Sequence, residues 1–386
     1  MEKRKLYYDD CHLQSFTARV TGCEATEHGY AVTLDATAFY PEGGGQACDL
    51  GTLDPVRVLD VREQGETVIH LCDGPVPVGK TVEGHIDYAR RFDLMQQHTG
   101  EHIVSGIIHK RFGYHNVGFH IGADMIQIDF DGMLPVEAIS EIELEANRAI
   151  WADLPVRCYY PSEEALPGVA YRAKRALPWP VRIVEIPGVD TCACCGVHTA
   201  HTGEVGLIKI FSCVRFHQGV RLEMACGERA LKYLIQVFEQ NKQVSQSFSA
   251  KILETGAAAR KVNEQLSAEK FRASGLERQL YDRIAAGYAG QENVLHIACG
   301  LSPAGVRDLA EKIAAQCSGT AAVFSGEDSR YDVCLARPDG DVKPLGQAMT
   351  AVLDGRGGGK PGFFQGSVKA SREKIEAFFR EQWKSS

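Results

Sequence analysis

Two short patterns, His98-Thr99-Gly100-Glu101-His102 and Cys194-Cys195-Gly196-Val197-His198, stand about ninety residues apart and can supply four ligands to one ion. Any fold of this chain that uses them must bring two distant segments to one point. On a helix, residues four apart share a face, so His98 and His102 can aim both imidazoles at the same ion. Cys194 and His198 can close the sphere. Thiolate and neutral imidazole suit zinc, whereas calcium and magnesium want oxygen ligands. With 13 His and 13 Cys in 386 residues, chance supplies about 0.4 of each spacing. The surrounding segments must therefore decide, because four protein ligands also mark a purely structural zinc site, and Cys192 with Cys195 forms a rival Cys-x-x-Cys pair.

Hydrophobic periodicity predicts an α+β fold. Residues 1–88 show short alternating runs, at Tyr30 to Leu34, Val56 to Val61 and Thr67 to Leu71, between Gly, Pro and Asp turns, as in a small β-barrel. Residues 89–225 read as a zinc-binding domain with helices on an antiparallel sheet. Its first helix carries Phe92, Met95, Gln96, Thr99, Ile103, Ile107 and Ile108 on one face, with both motif histidines inside it. A strand from Ala123 to Phe130 follows, then a helix from about Pro135 to Ala152 with Ile139, Ile142, Leu144 and Ala146 apolar. The Cys/His motif falls in a loop between strand-like Val181 to Ile186 and Val205 to Phe211.

Residues 226–288 follow a three-four apolar spacing from Leu231 through Phe238, Val262, Leu266, Leu276 and Leu280, which predicts a long coiled-coil-like helix or a helical hairpin. Gly256 and Gly275, each costing about 1 kcal/mol in a helix interior, keep the hairpin open as an alternative. Such a seam predicts a homodimer if two chains pair along it. Residues 289–386 alternate strand and helix patterns, an α/β domain whose last helix begins near Ser371.

The net charge of −8 disfavours nonspecific binding to a polyanion, so RNA contact requires local patches. Candidates are Arg172, Lys174, Arg175 and Arg182, and the stretch after Pro344, where seven Lys/Arg oppose four Asp/Glu. The polar start and the absence of a run of about 18 apolar residues predict no membrane partner and a cytoplasmic protein. Thirteen scattered cysteines, an odd number, fit reduced thiols.

Three motifs admit rival chemistry. His-x-x-Glu-His matches a zinc metallopeptidase signature in which Glu101 is the general base; Glu101 could equally serve an esterase or be a helix-surface carboxylate. Gly43-Gly44-Gly45 can offer backbone N–H groups to an oxyanion or make a tight turn. Neither that run nor Gly357-Gly358-Gly359-Lys360 has the Lys-Ser/Thr of a nucleotide P-loop.

The order of Leu34 to Gln46, the two histidines, the Cys/His motif, Thr202-Gly203-Glu204-Val205-Gly206 and Gly357 to Gly366 resembles the alanyl-tRNA editing proteins and the editing and C-terminal parts of alanyl-tRNA synthetase. Two departures from the family pattern, Cys-Cys-Gly-Val-His for Cys-Gly-Gly-Thr-His and Gln365-Gly366-Ser367 for Gln-Gly-Gly, leave ligand types and spacing intact. The resemblance implies zinc-dependent deacylation of tRNA for alanine carrying serine or glycine. It implies His98, His102, Cys194 and His198 as metal ligands, Thr37 and Gln46 beside the amino-acid pocket, and Gly357, Gly358, Gly359 and Lys360 as an RNA-facing loop. A noncatalytic tRNA-binding protein is the third alternative.

Overall fold

Strand alternation closes the first part of the chain on itself. In the computed structural model, which describes residues 4–173, 177–327 and 329–384, strands Ser15–Thr26, Gly29–Leu34, Thr67–Cys72, Val56–Gln64, Gly51–Leu53 and Thr81–Ile86 form a closed barrel in that order. Thr81–Ile86 alternates exposed and buried residues along its whole length, as the two-residue strand period requires. Val20, Val32, Leu34, Leu53, Val61 and Val82 fill the interior.

Helix α1, Tyr88–Phe112, leaves the barrel directly. Asp87 caps it by accepting the Arg90 N–H at 3.2 Å, and left-handed Gly113 ends it with its N–H on the His109 carbonyl. His109, Lys110 and Arg111 complement the dipole in the last turn. The expected single apolar face is too narrow a description, because every residue from Leu94 to Ile108 is buried. Neighbours approach the helix from all sides. The buried Arg91 guanidinium pairs with the Asp49 carboxylate of the barrel segment, Gln97 bonds the backbone of Cys226, and a side chain at Gly106 would meet the Val189 carbonyl at 2.4 Å. Polar residues are tolerated on this helix because they find partners.

Beside α1 lies an antiparallel sheet in the order Ile208–Phe216, Gly219–Cys226, Ile126–Phe130 and Asn116–Ile121. Helix α2, Val136–Trp151, packs Ile142, Ala146 and Ile150 into the same core as Ile103, Ile107, Ile128 and Leu222. Leu144, expected on its apolar face, is 45% exposed because it falls on the opposite side of the helix. A smaller sheet joins Arg157–Tyr159, Ile183–Ile186 and Asp190–Ala193. The strands Asn116–Ile121 and Asp190–Ala193 were not expected from periodicity, since each is short and mixes polar with apolar residues.

The chain divides into two units, residues 1–243 and 244–386. The predicted long helix is two helices, α3 (Gly227–Ser247) and α4 (Thr255–Ala286). Neither Gly256 nor Gly275 makes the break. It comes at Ser249, which has a left-handed φ of 49°, while Ser245 Oγ donates to the Ala250 carbonyl at 2.6 Å. In the second unit, strands Val294–Ala298, Ala321–Glu327, Arg330–Ala336, Phe363–Val368 and Gly355–Lys360 form one sheet in that order, the first pair parallel and the others antiparallel. Helices α5 (Pro303–Ala314), α6 (Lys343–Val352) and α7 (Arg372–Gln382) complete it, the last capped by Ser371 as expected. Gly357 to Lys360, expected as a loop, instead lies within an edge strand, because Gly355–Lys360 pairs in register with Phe363–Val368. Among the described residues no helix is long and apolar enough to cross a membrane.

Candidate metal centre

Helix spacing places His98 and His102 one turn apart, with ring centroids 5.5 Å from each other. The strand Asp190–Ala193 then delivers Cys194, and the turn that follows delivers His198, whose ring centroid lies 4.5 Å from that of His98 and 4.6 Å from that of His102. One ligand atom from each of the four residues falls within 4.8 Å of all the others. The four candidates separated by nearly a hundred residues do meet. Cys195 is outside this group, and Cys192 belongs to a second cluster with Asp190 and the far side of His102, so the rival Cys-x-x-Cys pair does not converge.

The hydrogen-bond partners define which ring nitrogens are free. Gln46 Oε1 accepts the Val197 N–H at 3.3 Å, which fixes it as the oxygen, and lies 2.9 Å from His98 Nδ1. His98 therefore carries its proton on Nδ1 and turns Nε2 toward Cys194 Sγ, 3.4 Å away. Asp190 Oδ2, 2.9 Å from His102 Nδ1, does the same for His102. Thr99 Oγ1 stands 3.3 Å from His198 Nδ1, and His198 Nε2 is buried with no hydrogen-bond partner. Such an orphan costs about 1–3 kcal/mol unless something binds it. Three imidazole nitrogens and one sulfur facing inward fit a tetrahedral zinc set, each imidazole steadied through its other nitrogen.

Electrostatics agree with the geometry. Burial alone would raise the Cys194 thiol, but the imidazoles packed around it, His98 first and then His102 and His198, outweigh it and hold the thiol well below its usual range. Burial, with the His98 charge beside it, pushes His198 down to about 3. Burial opposes protonation of His102 too, yet Asp190 and Cys194 prevail and raise it well above the ordinary value. Cys192, pushed up to about 11 by burial, remains a thiol.

A cavity of about 550 Å³ opens here, lined by His98, Glu101, His102 and Cys194 together with Tyr160, Leu177 and Pro180. Glu101 is buried, not a helix-surface carboxylate: Ser105 Oγ and Asn116 Nδ2 each donate to its Oε1 at 2.5 Å, and its Oε2 lies 3.8 Å from His102 Nε2. Gln46 steadies a ligand and is not a cavity-lining residue. Thr37 also lies outside the lining; its hydroxyl meets His70 Nε2 at 2.8 Å and accepts the Phe39 N–H. The run Gly43 to Gly45 is a tight turn in which Gly43 and Gln46 exchange backbone hydrogen bonds, and it sets Gln46 in place.

The two described arginines of the basic patch beside the motif are engaged inside the fold. Arg172 grips Asp190 with Nε and Nη2 at 2.7 and 2.8 Å. Arg182 donates to the carbonyls of Cys194 and Gly196 and covers the Tyr8 ring. Lys174 and Arg175 lie outside the described residues. Sequence reasoning missed Asp190 and Asn116, and it expected Arg172 in an RNA-facing patch rather than on Asp190. Asp190 had one usable signal, a carboxylate four residues before a ligating cysteine, of the kind that steadies a metal-bound imidazole.

Residues 181–222 match the threonyl and alanyl tRNA synthetase second additional domain, and residues 3–90 match class II (A) tRNA synthetases. An alanine–tRNA ligase of Thermofilum pendens is 31% identical over 96% of this chain, which spans 42% of that ligase's length. The alanyl-tRNA editing proteins Aarsd1 of Danio rerio and Mus musculus are each 28% identical; they cover 97% and 95% of this chain, which in turn spans 96% and 95% of theirs. Among solved structures, the C-Ala domain of Aquifex aeolicus alanyl-tRNA synthetase aligns with 24% of the chain and 90% of its own length, at 18% identity and a TM-score of 0.22. Over 95–97% of its length the chain is thus similar to alanyl-tRNA editing proteins of nearly its own size.

Proposed function

We propose that this protein hydrolyses the ester joining a wrong amino acid, serine or glycine, to tRNA for alanine, and that it uses zinc. The observation that supports this reading best is the convergence of three imidazole nitrogens and the Cys194 sulfur within 4.8 Å of one another beside the cavity. His98, His102, Cys194 and His198 would hold the ion; bound there, zinc supplies a Lewis acid for an ester carbonyl or for water.

The chain's own residues supply orientation and proton handling. Gln46 and Asp190 fix two ligand rings, so the donors need no rearrangement when the ion arrives. Glu101, with Oε1 held by Ser105 and Asn116, offers Oε2 as the place to hold a proton between water and the departing ribose hydroxyl. Discrimination between serine and alanine requires a buried polar partner for the hydroxyl, since an apolar pocket separates them poorly. We assign Thr37 to support of the barrel rather than to that partner, because its hydroxyl is already engaged.

In the second unit, the exposed edge strand Gly355–Lys360, with Arg356 and Lys360, is assigned to the tRNA backbone. The exposed Leu231, Phe238, Leu266, Leu276 and Leu280 are assigned to pairing of two chains in the cytoplasm.

One experiment separates the alternatives: purified protein is given seryl-tRNA for alanine and, separately, a casein-like protein, each with and without chelator. Release of serine that stops on chelation supports editing. Peptide cleavage without RNA means a metallopeptidase, and tight tRNA binding with no turnover means a binding protein.

A further inference from the structure

Asp190 faces two ways. Its Oδ2 accepts the His102 Nδ1 proton at 2.9 Å, while its Oδ1 and Oδ2 receive Nε and Nη2 of Arg172 at 2.7 and 2.8 Å. All three groups are withdrawn from water, with side-chain exposures of 2% for His102, 1% for Asp190 and 11% for Arg172. An aspartate side chain turns about χ1 and χ2, and χ2 sets the plane of its oxygens. Without a second grip, the plane of Asp190 would be set by the single bond to His102; the arginine fork, with two parallel N–H groups in a fixed plane, removes that freedom.

The backbone makes the same arrangement rigid. Arg172 is bridged to Cys192 of the strand that carries Asp190: its N–H donates to the Thr191 carbonyl at 2.8 Å and its carbonyl receives the Ala193 N–H at 2.9 Å. The chain therefore reaches the ligand strand twice at one point, once through the backbone and once through the guanidinium. The Arg172 guanidinium pairs with Asp190 and not with any of the four candidate ligands.

We infer that Arg172 is a positioning residue for the metal centre: by orienting Asp190 it fixes the ring of His102 so that Nε2 faces the other three ligand atoms. The inference rests on the metal reading above for its affinity effect and on geometry alone for the ring. The lysine and methionine variants test it together. Arg172→Met keeps length and apolar packing but removes the fork; Arg172→Lys keeps a charge without the fork.

Two readouts on the full chain are needed. Zinc affinity, measured by competition with a chromophoric chelator, should fall about tenfold to a hundredfold in Arg172→Met, the range for losing a partner behind a metal ligand, and Arg172→Lys should recover only part of it. In the metal-free protein, the downfield Nδ1–H proton resonance of His102 should be sharp and slow to exchange in the wild type and broadened or lost in Arg172→Met. Cys192→Ala, next to the same carboxylate, should change neither. Undiminished zinc affinity with an unaltered His102 resonance would overturn the assignment, as would a loss matched by an equal fall in the melting temperature of the metal-free variant. A wild type that binds no zinc would remove the metal reading, and the His102 resonance would still decide the role of Arg172.

Discussion

The chain contains the same tripeptide twice, and the two copies fold differently. Gly43-Gly44-Gly45 is a tight turn, with φ of 61° at Gly44 and 85° at Gly45; a side chain at Gly44 would lie 3.9 Å from the His98 ring, and one at Gly45 would meet the Phe119 ring at 2.6 Å. Gly357-Gly358-Gly359 is an exposed, extended edge strand, and a side chain at Gly358 would meet nothing within 4 Å. What differs is the flanking chain: Tyr40 and Gln46 fold the first run onto itself, whereas Phe363–Val368 zips the second into a ladder. Glycine permits both outcomes and selects neither.

The largest test of that contrast asks whether the first glycine turn serves a metal centre at all. Wild-type protein should carry about one zinc per chain, and His102→Ala or Cys194→Ala should lose it along with deacylation, while Cys192→Ala retains it. Elemental analysis that finds active, metal-free wild type would end the argument.

Acid should separate the two units next. Burial lowers His70 from 6.5 to about 4 and His198 from 6.5 to about 3. Stability from these neutral rings is complete above the ordinary histidine value and drains as pH falls toward 4 and 3, by up to about 1.4 kcal/mol per pH unit for each ring. The raised His102 adds nothing in that window, being protonated there whether folded or not. The second unit's single histidine, His296, is only half-buried. Hydrogen exchange on metal-free protein, corrected for intrinsic rates, should show residues 1–243 loosening first; uniform loosening would contradict the assignment.

Alanine substitution reads the two runs directly. Gly45→Ala should cost about 1–3 kcal/mol in denaturant unfolding because it strains φ and crowds Phe119, while Gly358→Ala should stay within about 0.5 kcal/mol. Equal costs would mean that the shared composition, not the setting, governs both.

Smaller effects test what each run faces. Replacing Arg356 and Lys360 by Gln should raise KM for tRNA a few-fold, spare kcat, and reduce the salt slope by about two counterions. Thr37→Val should cost about 1 kcal/mol or more by leaving His70 Nε2 and the Phe39 N–H without a partner, and should leave the serine-to-alanine ratio of kcat/KM unmoved. A tenfold narrowing of that ratio would return Thr37 to the pocket.

That the four candidate residues would meet was legible because helix spacing and loop spacing are local, and each fixes its own pair. The three-dimensional supports were not. Asp190 and Arg172 act through a strand of four residues, too short to show a period, and Gln46 reaches a helix fifty-two residues away by a side-chain bond that no pattern encodes. The break at Ser249 was hidden for a different reason: the apolar spacing continues through it, and a serine with positive φ carries no warning in its name.

The distance along the chain between His98 and Cys194, ninety-six residues, also sets a timetable. At about 5–20 residues per second, a ribosome exposes α1 for roughly 5–20 seconds before the last two ligands emerge, and longer before Gly219–Cys226 arrives to cover it. During that interval the nascent helix holds two histidines and an apolar surface with half of their partners still unmade. The exposure of that apolar surface to aggregation therefore falls within a window that the order of synthesis defines.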